Sequence, residues 1–142
     1  MGQRLRYMRK RLGLTIEDLS RNCRLSHNVI ARLERDETLA QPWVLGRILP
    51  HFTERLKDTF PETNGDAYDF LIPPITFGSW LKNQRLRRGM KLNALARKLG
   101  VRPFTLIRYE SDRSKPAADI RDRLKRVLKL SDLPVILRPA GI

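Results

Sequence analysis

Seven cations in the second half of the chain, Lys82, Arg87, Arg88, Lys91, Arg97, Lys98 and Arg102, are of the type and density that grip phosphate groups. They belong to a wider excess. Twenty-nine Lys and Arg stand against 15 Asp and Glu, a net charge of +14 with a pI near 11.0. Such a balance favours polyanionic partners and fast, salt-sensitive association with them. It is unevenly placed: +5 over residues 1–60, −3 over 61–76 and +12 over 77–142. Two basic blocks separated by an acidic stretch read as two polyanion-binding modules on a linker. Other chemistry is poorly represented. His27, His51 and Cys23 have no nucleophile–base or metal-ligand spacing, and no glycine-rich phosphate loop occurs. No catalytic residue, metal or cofactor is expected. The single cysteine rules out an internal disulfide or a cysteine-rich zinc site.

The elements that must position these cations occur twice. At an offset of 76, Gly2, Leu5, Arg9, Arg11 and Gly13 fall on Gly78, Leu81, Arg85, Arg87 and Gly89. Leu19, Arg21, Arg32, Glu34, Asp36 and Arg47 likewise fall on Leu95, Arg97, Arg108, Glu110, Asp112 and Arg123. A period this long is no solenoid. It is a small domain present twice, each copy near the lower size limit for independent folding. Cys23 stands where the second copy has Leu99, so a buried apolar role is expected for it.

Within the first copy, Leu5, Met8 and Leu12 recur at helical spacing and predict a helix over about residues 2–12, closed by Gly13. Thr15 starts a second helix, with Asp18 where a capping box needs an acid. Ser26 caps a third, whose inward face is Val29, Ile30 and Leu33. Asp36 closes it in the left-handed conformation. Pro42 opens a fourth, and a short helix over roughly 51–60 follows Pro50. The second copy repeats this plan, with Gly100 at the central turn, Pro103 opening its third helix and Pro116 its fourth. No strand is expected.

Between the copies, residues 61–76 form an acidic, proline-containing linker: a polar turn at 61–65, then an apolar, extended run from Tyr68 to Ile75. Residues 131–142 form an apolar tail that packs on its own domain or pairs with another chain. That tail, and to a lesser degree Phe70-Leu71-Ile72, favours a homodimer. No apolar run approaches the roughly 18–20 residues of a membrane span. Arg4, Arg6, Arg9, Lys10 and Arg11 interrupt any signal-peptide core. A cytoplasmic, nucleoid-associated location with no membrane contact is expected.

A short helix, a tight turn and a second short helix with polar residues at its start is the helix-turn-helix geometry, whose second helix enters the DNA major groove. Both copies resemble the helix-turn-helix domain of the phage-repressor and Cro family, also called the xenobiotic-response-element family. The first copy shows it through Gly2-x-x-Leu5-x-x-x-Arg9, then Gly13-Leu14-Thr15-Ile16-Glu17-Asp18-Leu19-Ser20, then Leu25-Ser26, Ile30 and Leu33-Glu34. In the second copy, Gly78-x-x-Leu81-x-x-x-Arg85, Gly89-Met90, Leu95-Ala96, Gly100-Val101, Leu106, Tyr109-Glu110 and Pro116 carry it.

The resemblance implies an all-α fold: two tandem lambda-repressor-like domains of four to five helices, over residues 1–60 and 77–130. It implies pairing of Arg9 with Glu34 and of Arg85 with Glu110. It places base-reading side chains at the first, second and sixth positions of each third helix. Those are His27, Asn28 and Arg32 in the first copy, and Pro103, Phe104 and Arg108 in the second. Asn suits adenine, Arg suits guanine, His donates to an acceptor, and Phe104 suits a thymine methyl or a protein surface. The chain departs from the family pattern in four respects. Ile16 and Leu92 replace a usual Gln, Asp36 and Asp112 a usual Gly, Lys91 a capping Thr, and Arg102 a capping Ser.

The leading expectation is sequence-specific binding of double-stranded DNA by a bacterial or phage transcriptional regulator, a repressor. The alternative is an antitoxin-like or adaptor protein that uses one copy for DNA and the other for a protein partner. A recombination-directionality or architectural factor is a third. All three share the fold.

Overall fold

The computed structural model describes residues 1–59 and 66–134, and the regular structure in them is helical. The chain divides into two compact units, Met1–Ile72 and Pro73–Ile142. The first holds α1 (Gly2–Arg11), α2 (Ile16–Cys23), α3 (His27–Glu34), α4 (Pro42–Ile48), α5 (Pro50–Thr59) and α6 (Ala67–Leu71). The second holds α7 (Phe77–Arg87), α8 (Leu92–Leu99), α9 (Pro103–Glu110) and α10 (Ala118–Leu128). Under the offset of 76, α2 and α3 fall residue for residue on α8 and α9. The fourth helix of the second copy starts at Ala118 rather than Pro116, because Ala117 is still extended at ψ 166°.

Local rules set the helix ends. Gly13 and Gly89 adopt φ of +73° and +71° after α1 and α7. This lets Leu14 and Met90 donate back to the carbonyls of Arg9 and Arg85, each at 3.1 Å. At α2, Thr15 Oγ1 accepts from the Asp18 amide at 3.0 Å and Asp18 Oδ2 accepts from the Thr15 amide at 2.9 Å. The Thr15 amide, and after it the hydroxyl, hold the Asp18 carboxyl below the usual carboxylate range. Asp thus completes the capping box.

Two aspartates do more than the glycine they replace. Asp36 and Asp112 take φ of +55° and +61°. Their Oδ1 atoms also accept the amides that start α1 and α7, Gly2 at 2.9 Å and Gly78 at 2.8 Å. The third helix of each copy therefore ends against the beginning of the first. This leaves no room for a side chain there: a Cβ on Gly2 would lie 2.5 Å from the carbonyl oxygens of Leu33 and Glu34. On Gly78 it would lie 2.6 Å from the Glu110 oxygen. These are backbone atoms, which cannot move aside cheaply. Gly78→Ala is expected to cost on the order of 1–3 kcal/mol by overpacking. Gly46→Ala, whose Cβ meets nothing within 4 Å, should be neutral or slightly stabilising. Thermal melts of the two variants check this. Equal midpoints would show that α7 is not held as tightly as described.

In the first unit Leu5, Met8, Leu19, Ile30, Leu33, Leu45, Ile48, Phe52 and Leu56 are buried. Phe70, Leu71 and Ile72 are buried too. This corrects the expected linker. Its residues 67–71 are helical rather than extended, and Asp66 caps them by accepting from the Asp69 amide at 3.0 Å. Arg4 donates to the Phe70 carbonyl and lies 4.7 Å from the centroid of its ring. A small domain gains more by burying this apolar segment than by leaving it free. The turn expected at 61–65 lies outside the described residues.

The second core gathers Leu81, Leu95, Ala96, Leu99, Leu106, Tyr109, Leu124 and Leu128, with Leu133 at 5% exposure. The start of the expected tail therefore belongs to this core. Residues 135–142 lie outside the described residues.

Candidate nucleic-acid interface

The turn between the second and third helices is built alike in both copies. Arg24 ends α2 at φ +56° and Gly100 ends α8 at φ +71°, after which Leu25 and Val101 turn inward. An arginine from the fourth helix secures each turn. Arg47 Nη1 donates to the Arg24 carbonyl at 3.2 Å, and Arg123 Nη1 donates to the Leu99 carbonyl at 3.1 Å. This accounts for Arg47 and Arg123 in the repeat. Sequence reasoning had given them no role, since spacing alone does not reveal which carbonyl a long side chain reaches.

The orientation of the third helix is held by a buried ion pair. Arg9 Nε and Nη2 donate to Glu34 Oε2 and Oε1 at 2.7 and 3.0 Å, while Nη1 donates to the Leu14 carbonyl at 2.8 Å. Arg85 repeats the pattern with Glu110 at 2.6 and 3.1 Å and with the Met90 carbonyl at 3.0 Å. Both ion pairs implied by the resemblance are present, and both are bidentate.

With α3 so fixed, His27, Asn28 and Arg32 are all exposed, while Ile30 and Leu33 point into the core. The Arg32 guanidinium lies 4.0 Å from Glu37 and is 56% exposed. Glu37 is engaged chiefly by Arg35, at 2.8 and 3.2 Å, which holds its carboxyl below the usual range. Arg32 therefore remains available to an incoming ligand. Asn28 and Arg32 border one groove of about 610 Å³, closed on its other side by Thr38, Leu39, Gln41 and Trp43. His27 does not line it. Leu39 and Trp43 are more than half exposed, and Trp43 lies 5.2 Å beneath the Arg47 guanidinium. Neither had been foreseen, because a large apolar residue, whether in a loop like Leu39 or at the start of α4 like Trp43, reads as core until the fold shows it outside.

The second copy is different. Phe104 is 67% exposed. Arg108 is drawn toward the loop after α9, its Nε donating to Ser114 Oγ at 2.8 Å and its Nη2 to the Arg113 carbonyl at 3.3 Å. Of the seven cations, Arg87, Arg88, Lys91, Arg97, Lys98 and Arg102 are exposed, and Lys82 is half-buried. Arg87 donates to Asn83 Oδ1 at 3.3 Å. Arg88 bonds to both oxygens of Gln84 and, at 3.2 Å, to the Leu128 carbonyl at the end of α10. Lys91 and Arg102 occupy the capping positions of α8 and α9 but have no acceptor atom, so neither makes a capping bond.

Burial pushes the Cys23 thiol up, in keeping with an inert core residue. Among the described residues no helix is long and apolar enough to cross a membrane.

Residues 1–52 match the family described as "Helix-turn-helix domain", and residues 81–132 match the family described as "Helix-turn-helix". No curated protein and no solved structure matches the chain. The first match runs from α1 into α5 and the second from within α7 past the end of α10. The repeated architecture, the paired arginine–glutamate bridges and the matched stretches lead to one conclusion: the chain is a tandem helix-turn-helix protein, both copies of which resemble the phage-repressor and Cro family.

Proposed function

We propose that this protein binds double-stranded DNA sequence-specifically as a transcriptional repressor, with the first copy reading bases by hydrogen bonds. The observation that supports this most is the exposure of Asn28 and Arg32 side by side on α3, the helix that enters the major groove in this fold. Asn28 has the paired donor and acceptor that match adenine N7 and N6, and Arg32 has the fork that matches guanine O6 and N7. His27, one position earlier, supplies a third donor. Lys91, Arg97, Lys98 and Arg102 contact phosphates, which fix register without reading sequence.

Asn28→Ala and Arg32→Ala are each expected to weaken binding to the preferred site by about 1–3 kcal/mol and to change little on random DNA. Selection of duplexes from a random pool at physiological salt, repeated with each variant, measures both effects. An unchanged selected motif with Asn28→Ala would mean that α3 is not the reading helix.

A further inference from the structure

We infer that the second copy reads thymine, through apolar contact of Phe104 and Ile107 with the 5-methyl groups that line the major groove. This rests on the DNA-binding reading above and assigns a base class to the copy that is poorer in hydrogen-bonding readers.

The two third helices superpose in sequence but differ in what they present. Outward on α9 stand Phe104 at 67% exposure and Ile107 at 40%. Their counterparts on α3 are Asn28, polar and exposed, and Ala31, which is buried. The remaining reading positions of α9 are poor in donors. Pro103 has none, and the Arg108 guanidinium is engaged by Ser114 and the Arg113 carbonyl. In the major groove the one feature that an apolar side chain distinguishes is the thymine methyl.

Area and charge favour DNA over a protein as the occupant. Two partly exposed side chains present no more than a few hundred Å² of apolar surface, well below the roughly 800 Å² per partner of a stable protein interface. Lys91, Arg97, Lys98 and Arg102 are exposed on the same two helices, α8 and α9, or at their starts. Cations around a small apolar centre match phosphates flanking a base edge. The operator should then be chemically lopsided, with one half read by hydrogen bonds and the other by methyl groups.

Deoxyuridine tests this directly, because it differs from thymidine only by the missing methyl. The full chain is first used to select a duplex. The half-site belonging to the second copy is the half whose base preference disappears with Phe104→Ala. Each thymine of the selected duplex is then replaced by deoxyuridine, and affinities are measured for wild type, Phe104→Ala and Ile107→Ser. Wild-type affinity should fall about fourfold per contacted methyl in that half. Either variant should lose part of that discrimination while its salt dependence stays unchanged. Affinity indifferent to deoxyuridine throughout a site that is still selectively bound would overturn the inference and leave DNA reading by the first copy intact. A methyl effect that persists undiminished in both variants would overturn it as well. So would a change of sedimentation state with Phe104→Ala on DNA whose methyls have no effect, which would assign this face to a protein contact. Absence of any sequence preference in the wild-type chain would overturn the DNA-reading proposal itself.

Discussion

Binding of the full chain to its selected duplex is expected to weaken about a thousandfold between 50 and 200 mM salt. Each neutralised phosphate contributes roughly 0.9 to the log–log slope, so two basic modules should give a slope on the order of −5 or steeper. The structure narrows which cations produce it. Lys91, Arg97, Lys98 and Arg102 are exposed; Arg88 is exposed as well, but its guanidinium donates to carbonyl oxygens of its own domain. Replacing Lys91, Arg97, Lys98 and Arg102 with glutamine should flatten the slope by roughly 3–4 units. Arg88→Gln should leave it nearly as it was. Salt titrations followed by fluorescence anisotropy measure both variants. A wild-type slope near zero would end the nucleic-acid reading. An unchanged slope in the fourfold variant would mean that these cations face away from DNA.

Glu110→Ala is expected to destabilise its domain by about 3–5 kcal/mol, because it leaves the Arg85 guanidinium buried and uncompensated. The Arg85 and Glu110 side chains are only 6% and 8% exposed, and the guanidinium spans both carboxylate oxygens and a backbone carbonyl. Glu34→Ala should act alike on Arg9 in the first unit. A domain this small has a total stability of only a few kcal/mol, so either change consumes most of it. Thermal midpoints should drop by more than about 10 °C. Glu37→Ala is the comparison. It removes the bidentate partner of Arg35 on the surface, where solvent screens the pair, and the midpoint should barely move. If Glu110→Ala and Glu37→Ala melted alike, the buried pair would not be what holds α9 against α7.

The repeat, the number of helices in each copy and most of their ends were legible in the sequence, because the forces that set them act over a few residues. Thr15 caps an amide three positions away, Gly13 and Gly89 supply a left-handed turn at their own positions, and apolar residues at helical spacing declare an inward face. Cys23 was legible by comparison with Leu99, and Asp36 because Asp tolerates the left-handed conformation. The ion pairs joining Arg9 to Glu34 and Arg85 to Glu110 were not local, and only the family resemblance pointed to them.

What the tertiary structure alone decided is where the long side chains end. Arg88 reaches a carbonyl 40 residues away, Arg123 one 24 residues away, and Arg108 bends back to the loop behind it. Charge and spacing made Arg88 and Arg108 look like equals of Lys98 and Arg32. A flexible cation has many rotamers in the unfolded chain, and its partner is chosen only when folding brings distant carbonyls within reach. The same holds for residues 67–72. Their apolar character was plain, but a helix of five residues has no stability of its own, and it forms because α1 and α5 offer it a surface to cover. Local chemistry in the sequence therefore determined the two helix-turn-helix frames, and long-range packing determined which of their side chains remain free to meet a ligand.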